Sequence, residues 1–119
     1  MARRKLRIEV INCLYQYDLL NSQDNKSSLE ASNIFNEVLK NLATIDDIIE
    51  NSLENYSLNR LSYLDRAIVR LATYEMRFTD TPKPIVINEA IEITKEISDI
   101  DDKQFKFNNR LLENIKKRI

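Results

Sequence analysis

Four bases crowd the opening of the chain: Arg3, Arg4, Lys5 and Arg7 all precede the first acid, Glu9. Guanidinium groups hydrogen-bond phosphate oxygens and stack on unpaired bases, so such a cluster offers a place for a polyanion. Set at the start of a helix, these cations also oppose the helix dipole, a conflict that a bound anion relieves. A second basic run closes the sequence, where Lys103, Lys106, Arg110, Lys116, Lys117 and Arg118 face a single acid, Glu113. The two ends carry +4 and +5 on a chain of formal net charge −1, which leaves −10 on the stretch between them. Basic ends on an acidic body point to a localised anion site rather than a uniformly basic surface. The plainer alternative is that terminal Lys and Arg only keep helix ends solvated.

Other chemistry is restricted by what the sequence lacks. Among its 119 residues there is no histidine, no glycine and one cysteine, Cys13. A lone cysteine makes no internal disulfide, and without histidine no Cys/His zinc set assembles. Cys13 falls on an apolar face, where it reads as a small buried hydrophobe. Phosphate-cradling loops and dinucleotide turns need glycine for close backbone approach, so both signatures are excluded. No residue pattern points to catalysis; the expectation is a protein that is not an enzyme and uses no cofactor or metal. With 43% hydrophobic and 31% charged residues, the composition is that of a globular chain. No apolar run approaches the ~20 residues of a membrane span, and Glu9, Asn12 and Asp18 interrupt any signal-peptide core. A cytoplasmic location is the resulting expectation.

The elements that must position these residues are helical throughout, with no convincing strand alternation. A first helix over about residues 3–20 places Leu6, Val10, Cys13, Leu14 and Tyr17 on one face. Arg4, Ile8, Ile11 and Tyr15 form a second stripe, which requires burial on two sides or a partner. A polar loop over 21–28 follows. Ser27-x-x-Glu30 has capping-box spacing, and Phe35, Val38, Leu42, Ile45, Ile49 and Ser52 then predict one long helix to about Asn55. Residues 56–62 read as a turn with one short helical turn. Ser62-x-x-Asp65 is a second capping box, opening a helix to Phe78 that the prolines of residues 79–84 stop. Ile87, Ala90, Ile91, Thr94 and Ile97 share a face of the next helix. After a turn at 98–102, a last helix carries Phe105, Phe107, Leu111, Leu112 and Ile115. Phe105 and Phe107 lie about 200° apart on that helix. Phe105 aligns with Leu112 and suits the core, which leaves Phe107 the freer ring. Glu89, early in its helix, suits the dipole there, with Arg70 as its expected ion-pair partner. The reading is one all-α domain over 1–119, built from five or six helices.

Four collinear stretches, "ARRKLRIEVINCLYQYDL", "NYSLNRLSYLDRAIVRLATYEM", "PIVINEAIEITKEIS" and "FNNRLLENI", together resemble the NusB family of transcription antitermination factors. "ARRKLRIEVINCLYQYDL" (2–19) resembles its Arg-rich opening helix, and "NYSLNRLSYLDRAIVRLATYEM" (55–76) its middle signature. "PIVINEAIEITKEIS" (84–98) is similar to its Val-x-Ile-Asn-Glu-Ala helix, and "FNNRLLENI" (107–115) to its Phe-Val-Asn-Gly-Val-Leu ending. The resemblance implies a compact helical bundle of two packed helical subdomains. It further implies binding of the single-stranded boxA element of nascent ribosomal RNA together with NusE, a small-subunit ribosomal protein. The complex then joins RNA polymerase and suppresses termination. On this resemblance the RNA contacts fall to Arg3, Arg4, Arg7, Phe107 and Asn109, with Gln104 and Lys106 close by for phosphate or sugar. A phenylalanine there stacks an unpaired base and an asparagine reads a base edge. Tyr15 and Asp65 match positions of the NusE interface, although Asp65 also has the capping role. The sequence departs from the pattern at Arg110, where the family has glycine, at Asn12, where it has glutamine, and in a shortened stretch over 20–34. The alternative is a helical module that binds proteins only.

Overall fold

In the computed structural model, residues 3–22, 27–54, 57–99 and 101–119 are described. Among them the chain forms six α-helices and no strand: α1 (Arg4–Leu20), α2 (Leu29–Lys40), α3 (Leu42–Ser52), α4 (Tyr63–Phe78), α5 (Lys83–Ile97) and α6 (Asp102–Arg118). A 3-10 turn, Leu58–Arg60, precedes α4. The middle of the polar loop at 21–28, the expected helix end at Asn55 and Ile100 of the 98–102 turn lie outside the described residues.

Local chemistry sets the ends. Ser28, Ser62 and Asp101 each accept a backbone N–H through the side chain, from Ala31, Asp65 and Gln104. These bonds satisfy donors that the first turn leaves free. The second capping serine is therefore where its spacing puts it, whereas the first cap is Ser28 and not Ser27. Ser27 instead accepts from the buried Cys13 thiol at 3.5 Å and bonds the Ser32 hydroxyl. The Ser28 N–H donates to the Glu9 carboxylate at 3.0 Å, which ties α1 to the start of α2 and holds the Glu9 pKa low. At the end of α1, Asn21 adopts the left-handed conformation with φ 52°. With no glycine in the sequence, asparagine is the residue best able to occupy that region.

The long helix expected from residue 27 onward is two helices. Asn41 breaks it with φ −107° and ψ 15°, and its side-chain amide donates to the Glu37 carbonyl at 2.8 Å. A side chain that bonds a carbonyl one turn back competes with the helical ladder. The apolar seam survives the break, with Phe35, Val38, Ile45 and Ile49 all buried.

α4 is the centre of the bundle and touches all five other α-helices. α1 packs on α2, α4 and α5, while α6 packs on α3, α4 and α5. Both stripes of α1 are used: Leu6, Val10 and Leu14 are buried, and so is Ile11 of the second stripe, with Ile8 and Tyr15 half-buried against the core. Tyr17 meets Phe35 edge-on, ring centres 6.2 Å apart. Three buried helix hydroxyls each donate back to the carbonyl four residues earlier: Ser52 at the end of α3, Thr73 and Thr94.

Candidate nucleic-acid interface

Among the expected contacts at the start of α1, Arg3 and Arg4 reach the surface. Arg3 donates to Glu30 of α2 at 2.8 Å, with both side chains more than half exposed. Arg4 grips Glu89 of α5 through Nε at 3.1 Å and a terminal nitrogen at 3.5 Å. That bond and the charge of Glu89 raise the Arg4 pKa further. Lys5 is exposed. The first turn of α1 holds no acid of its own. The unfavourable cluster is therefore offset by carboxylates lent from α2 and α5, and no bound anion is required to explain it.

Arg7 corrects the expectation of a surface contact. It is 3% exposed and forms two 2.9 Å hydrogen bonds to the carboxylate of Glu75 on α4, itself 2% exposed. A guanidinium enclosed in this way does not reach a polynucleotide; it holds α1 against α4. Glu89 is likewise partnered by Arg4 and not by Arg70. Arg70 forks onto Asp46 of α3 at 2.8 and 2.9 Å and lies 3.2 Å from Asp18 of α1. Burial works against its proton, but the hydrogen bonds and charges of Asp46 and Asp18 outweigh that and raise its pKa. Arg66 adds a 2.9 Å bond to Asp18 and one of 3.2 Å to the Leu61 carbonyl.

Of the two residues expected to face a protein partner, Tyr15 is half-buried. Asp65 is 2% exposed, a correction to its expected place at an interface. Burial pushes its pKa up, while hydrogen bonds from Ser62 and Asn108 pull it back. One carboxylate oxygen, Oδ1, has no hydrogen-bond donor. The carboxylate is enclosed and bonded to Asn108 of α6, so contact with a partner would have to run through its neighbours.

On α6 both rings are partly exposed, and Phe105 does not take the core place expected of it. Phe105 stays half-exposed, with the Lys95 ammonium of α5 5.6 Å from its ring centre. Phe107 is half-buried and packs against the core. It borders two concavities, one of about 250 Å³ with Arg60, Lys103 and Gln104, the other of about 210 Å³ between α6 and the end of α3. Lys106 and Asn109 are exposed. The Gln104 amide donates to buried Asn108 at 3.0 Å, which fixes its orientation. Arg3 and Arg4 thus lie against α2 and α5, and Phe107 faces α3 and the 3-10 turn. Arg60 and Glu75 stand out by no pattern in the sequence, and Lys103 only as one cation of the closing basic run. Arg60 and Lys103 become neighbours only when the 3-10 turn meets α6, and Glu75 meets Arg7 across 68 residues. No short-range spacing carries either signal.

No cluster of three or more potential metal-ligating side chains occurs among the described residues. None of the described helices is long and apolar enough to cross a membrane.

Six packed helices, an arginine pair at the head of α1 and a basic α6 edged by aromatic rings define a small all-α protein with cationic helix surfaces. A family model described as the NusB family matches residues 4–117. The chain belongs to the NusB family. It is 38% identical over 126 residues to the transcription antitermination protein NusB of Campylobacter jejuni (strain RM1221), covering 94% of this chain and 93% of that protein. A solved NusB structure from T. maritima superposes with a TM-score of 0.81 at 36% identity, covering 98% of this chain and 92% of that one. A second, of antitermination factors NusB and NusE in complex with dsRNA, gives 0.79 at 25% identity, covering 98% and 97%.

Proposed function

We propose that this chain is a transcription antitermination factor, a non-catalytic adaptor that binds RNA and NusE. The observation that carries this reading is the fold shared over almost the whole chain with a NusB solved in complex with NusE and RNA. The RNA is the boxA element of nascent ribosomal transcripts, and the assembly acts on RNA polymerase in the cytoplasm. Residues 1–119 work as one binding domain, with no cofactor. The RNA surface consists of Arg3 and Arg4 on α1 and of Gln104, Lys106, Phe107 and Asn109 on α6. Arg7 supports it from within. NusE docks near Tyr15, over the buried Asp65. Phosphate contact supplies salt-dependent affinity, and bases stacked beside Phe107 supply selection.

Titration of fluorescein-labelled boxA RNA across a salt series, with and without NusE, tests the proposal. Affinity is expected to fall steadily as salt rises, and NusE to raise it by linkage. Absence of RNA binding under both conditions would leave a protein-only module.

A further inference from the structure

The second concavity beside Phe107 lies where the end of α3 meets the middle of α6, and Ser52, Leu53, Glu54, Arg110, Leu111 and Asn114 complete its lining. Leu53 and Leu111 give its lining apolar surface, and Ser52, Asn114, Arg110 and Glu54 add a hydroxyl, an amide, a guanidinium and a carboxylate. That combination suits one nucleotide unit: apolar surface for a base, polar edges for its donors and acceptors, a cation for its phosphate. Phe107 separates this cleft from the one lined by Arg60, Lys103 and Gln104, so the two hollows flank one ring. Arg110 supplies the cation of this cleft.

The cation has a weak partner. Arg110 lies 3.9 Å from Glu54, with the two side chains 75% and 70% exposed. An ion pair so open to water contributes little and is readily exchanged for another anion. Resting on the RNA-binding reading, we infer that the RNA strand continues past Phe107 into the α3–α6 cleft, where Arg110 takes a phosphate and Glu54 competes with RNA for that arginine.

Competition gives a test in which one variant gains function. Binding of fluorescein-labelled boxA RNA is measured for the wild type, Arg110→Gln, Glu54→Gln and the double variant, with folding followed by circular dichroism. Arg110→Gln is expected to weaken binding about fivefold and to flatten the slope of log K against log salt by about 0.7, the share of one single-strand phosphate contact. Glu54→Gln tightens binding severalfold, and does so only while Arg110 is present. Glu37→Gln on α2 removes the same charge far from the cleft and serves as the control. Equal affinity of Arg110→Gln and wild type overturns the inference, as does a Glu54→Gln gain that persists without Arg110 or is matched by Glu37→Gln. Failure of the wild type to bind RNA overturns the functional reading itself, a result distinct from both.

Discussion

Arg7 and Glu75, 68 residues apart in sequence, exchange two 2.9 Å hydrogen bonds inside the bundle. Removing one member strands the other charge where water does not reach it. Arg7→Ala is therefore expected to lose about 3–5 kcal/mol, and the apolar double variant Arg7→Met/Glu75→Leu to regain most of that loss. Urea unfolding of the single and double variants decides it; a single variant as stable as the wild type would mean that the pair is not structural.

Reversing the surface arginines has the opposite profile. Arg3→Glu/Arg4→Glu keeps the helical circular dichroism signal, because both guanidiniums sit in solvent-facing pairs, and lowers RNA affinity by about tenfold or more. Arg7→Glu places two carboxylates together in the core and unfolds the protein. If the surface pair is reversed and RNA affinity stays the same, α1 is not part of the interface.

Asp65 gives a pH signature. Burial holds its folded pKa above the ordinary carboxylate value, while the unfolded chain ionises at that ordinary value. Folding therefore favours proton uptake between the two. The cost of the buried charge develops as pH rises through that interval and is complete above the folded pKa. Asp65→Asn, which carries no charge, is expected to stabilise at neutral pH, with an advantage that shrinks as pH falls from the raised folded pKa toward the ordinary carboxylate value and is gone below it. Unfolding followed over a pH series checks this, and an advantage independent of pH would contradict it.

Asn21 tests the cost of making a helix end without glycine. Its φ of 52° lies in the region where a β-carbon is penalised. Asn21→Ala is expected to destabilise by about 1 kcal/mol, and Asn21→Gly to leave stability unchanged or raise it. Thermal unfolding with the reverse ranking would show that the Asn side chain itself holds the turn.

Helix type and most of the core were legible because they depend on local spacing. Leu6, Val10 and Leu14, or Leu111, Leu112 and Ile115, repeat at helical intervals and are all buried. The Ser62 cap was legible for the same reason. Charge pairing was not. Arg7 shares its residue type with Arg3 and Arg4, and the packing of α4 against α1 is what encloses it. Asp65 reads as a cap in either case, and its burial comes from α6, which arrives more than thirty positions later. The partial exposure of both Phe105 and Phe107 has a similar cause. Their 200° separation assigns them to different faces, but which face meets the core depends on how α6 is rolled against α3 and α5. The candidate site was thus visible as a set of residue types, and its division into inner and outer members appeared only with tertiary packing.

α4 carries Asp65, Arg70 and Glu75 at intervals of five residues, and each is linked to a different set of neighbours: Asn108 of α6, Asp46 and Asp18 of α3 and α1, and Arg7 of α1. Sliding this helix by one turn, 5.4 Å, would misalign all three linkages together. The central helix therefore has a single permitted axial setting, and an incoming partner meets a bundle that resists ratcheting.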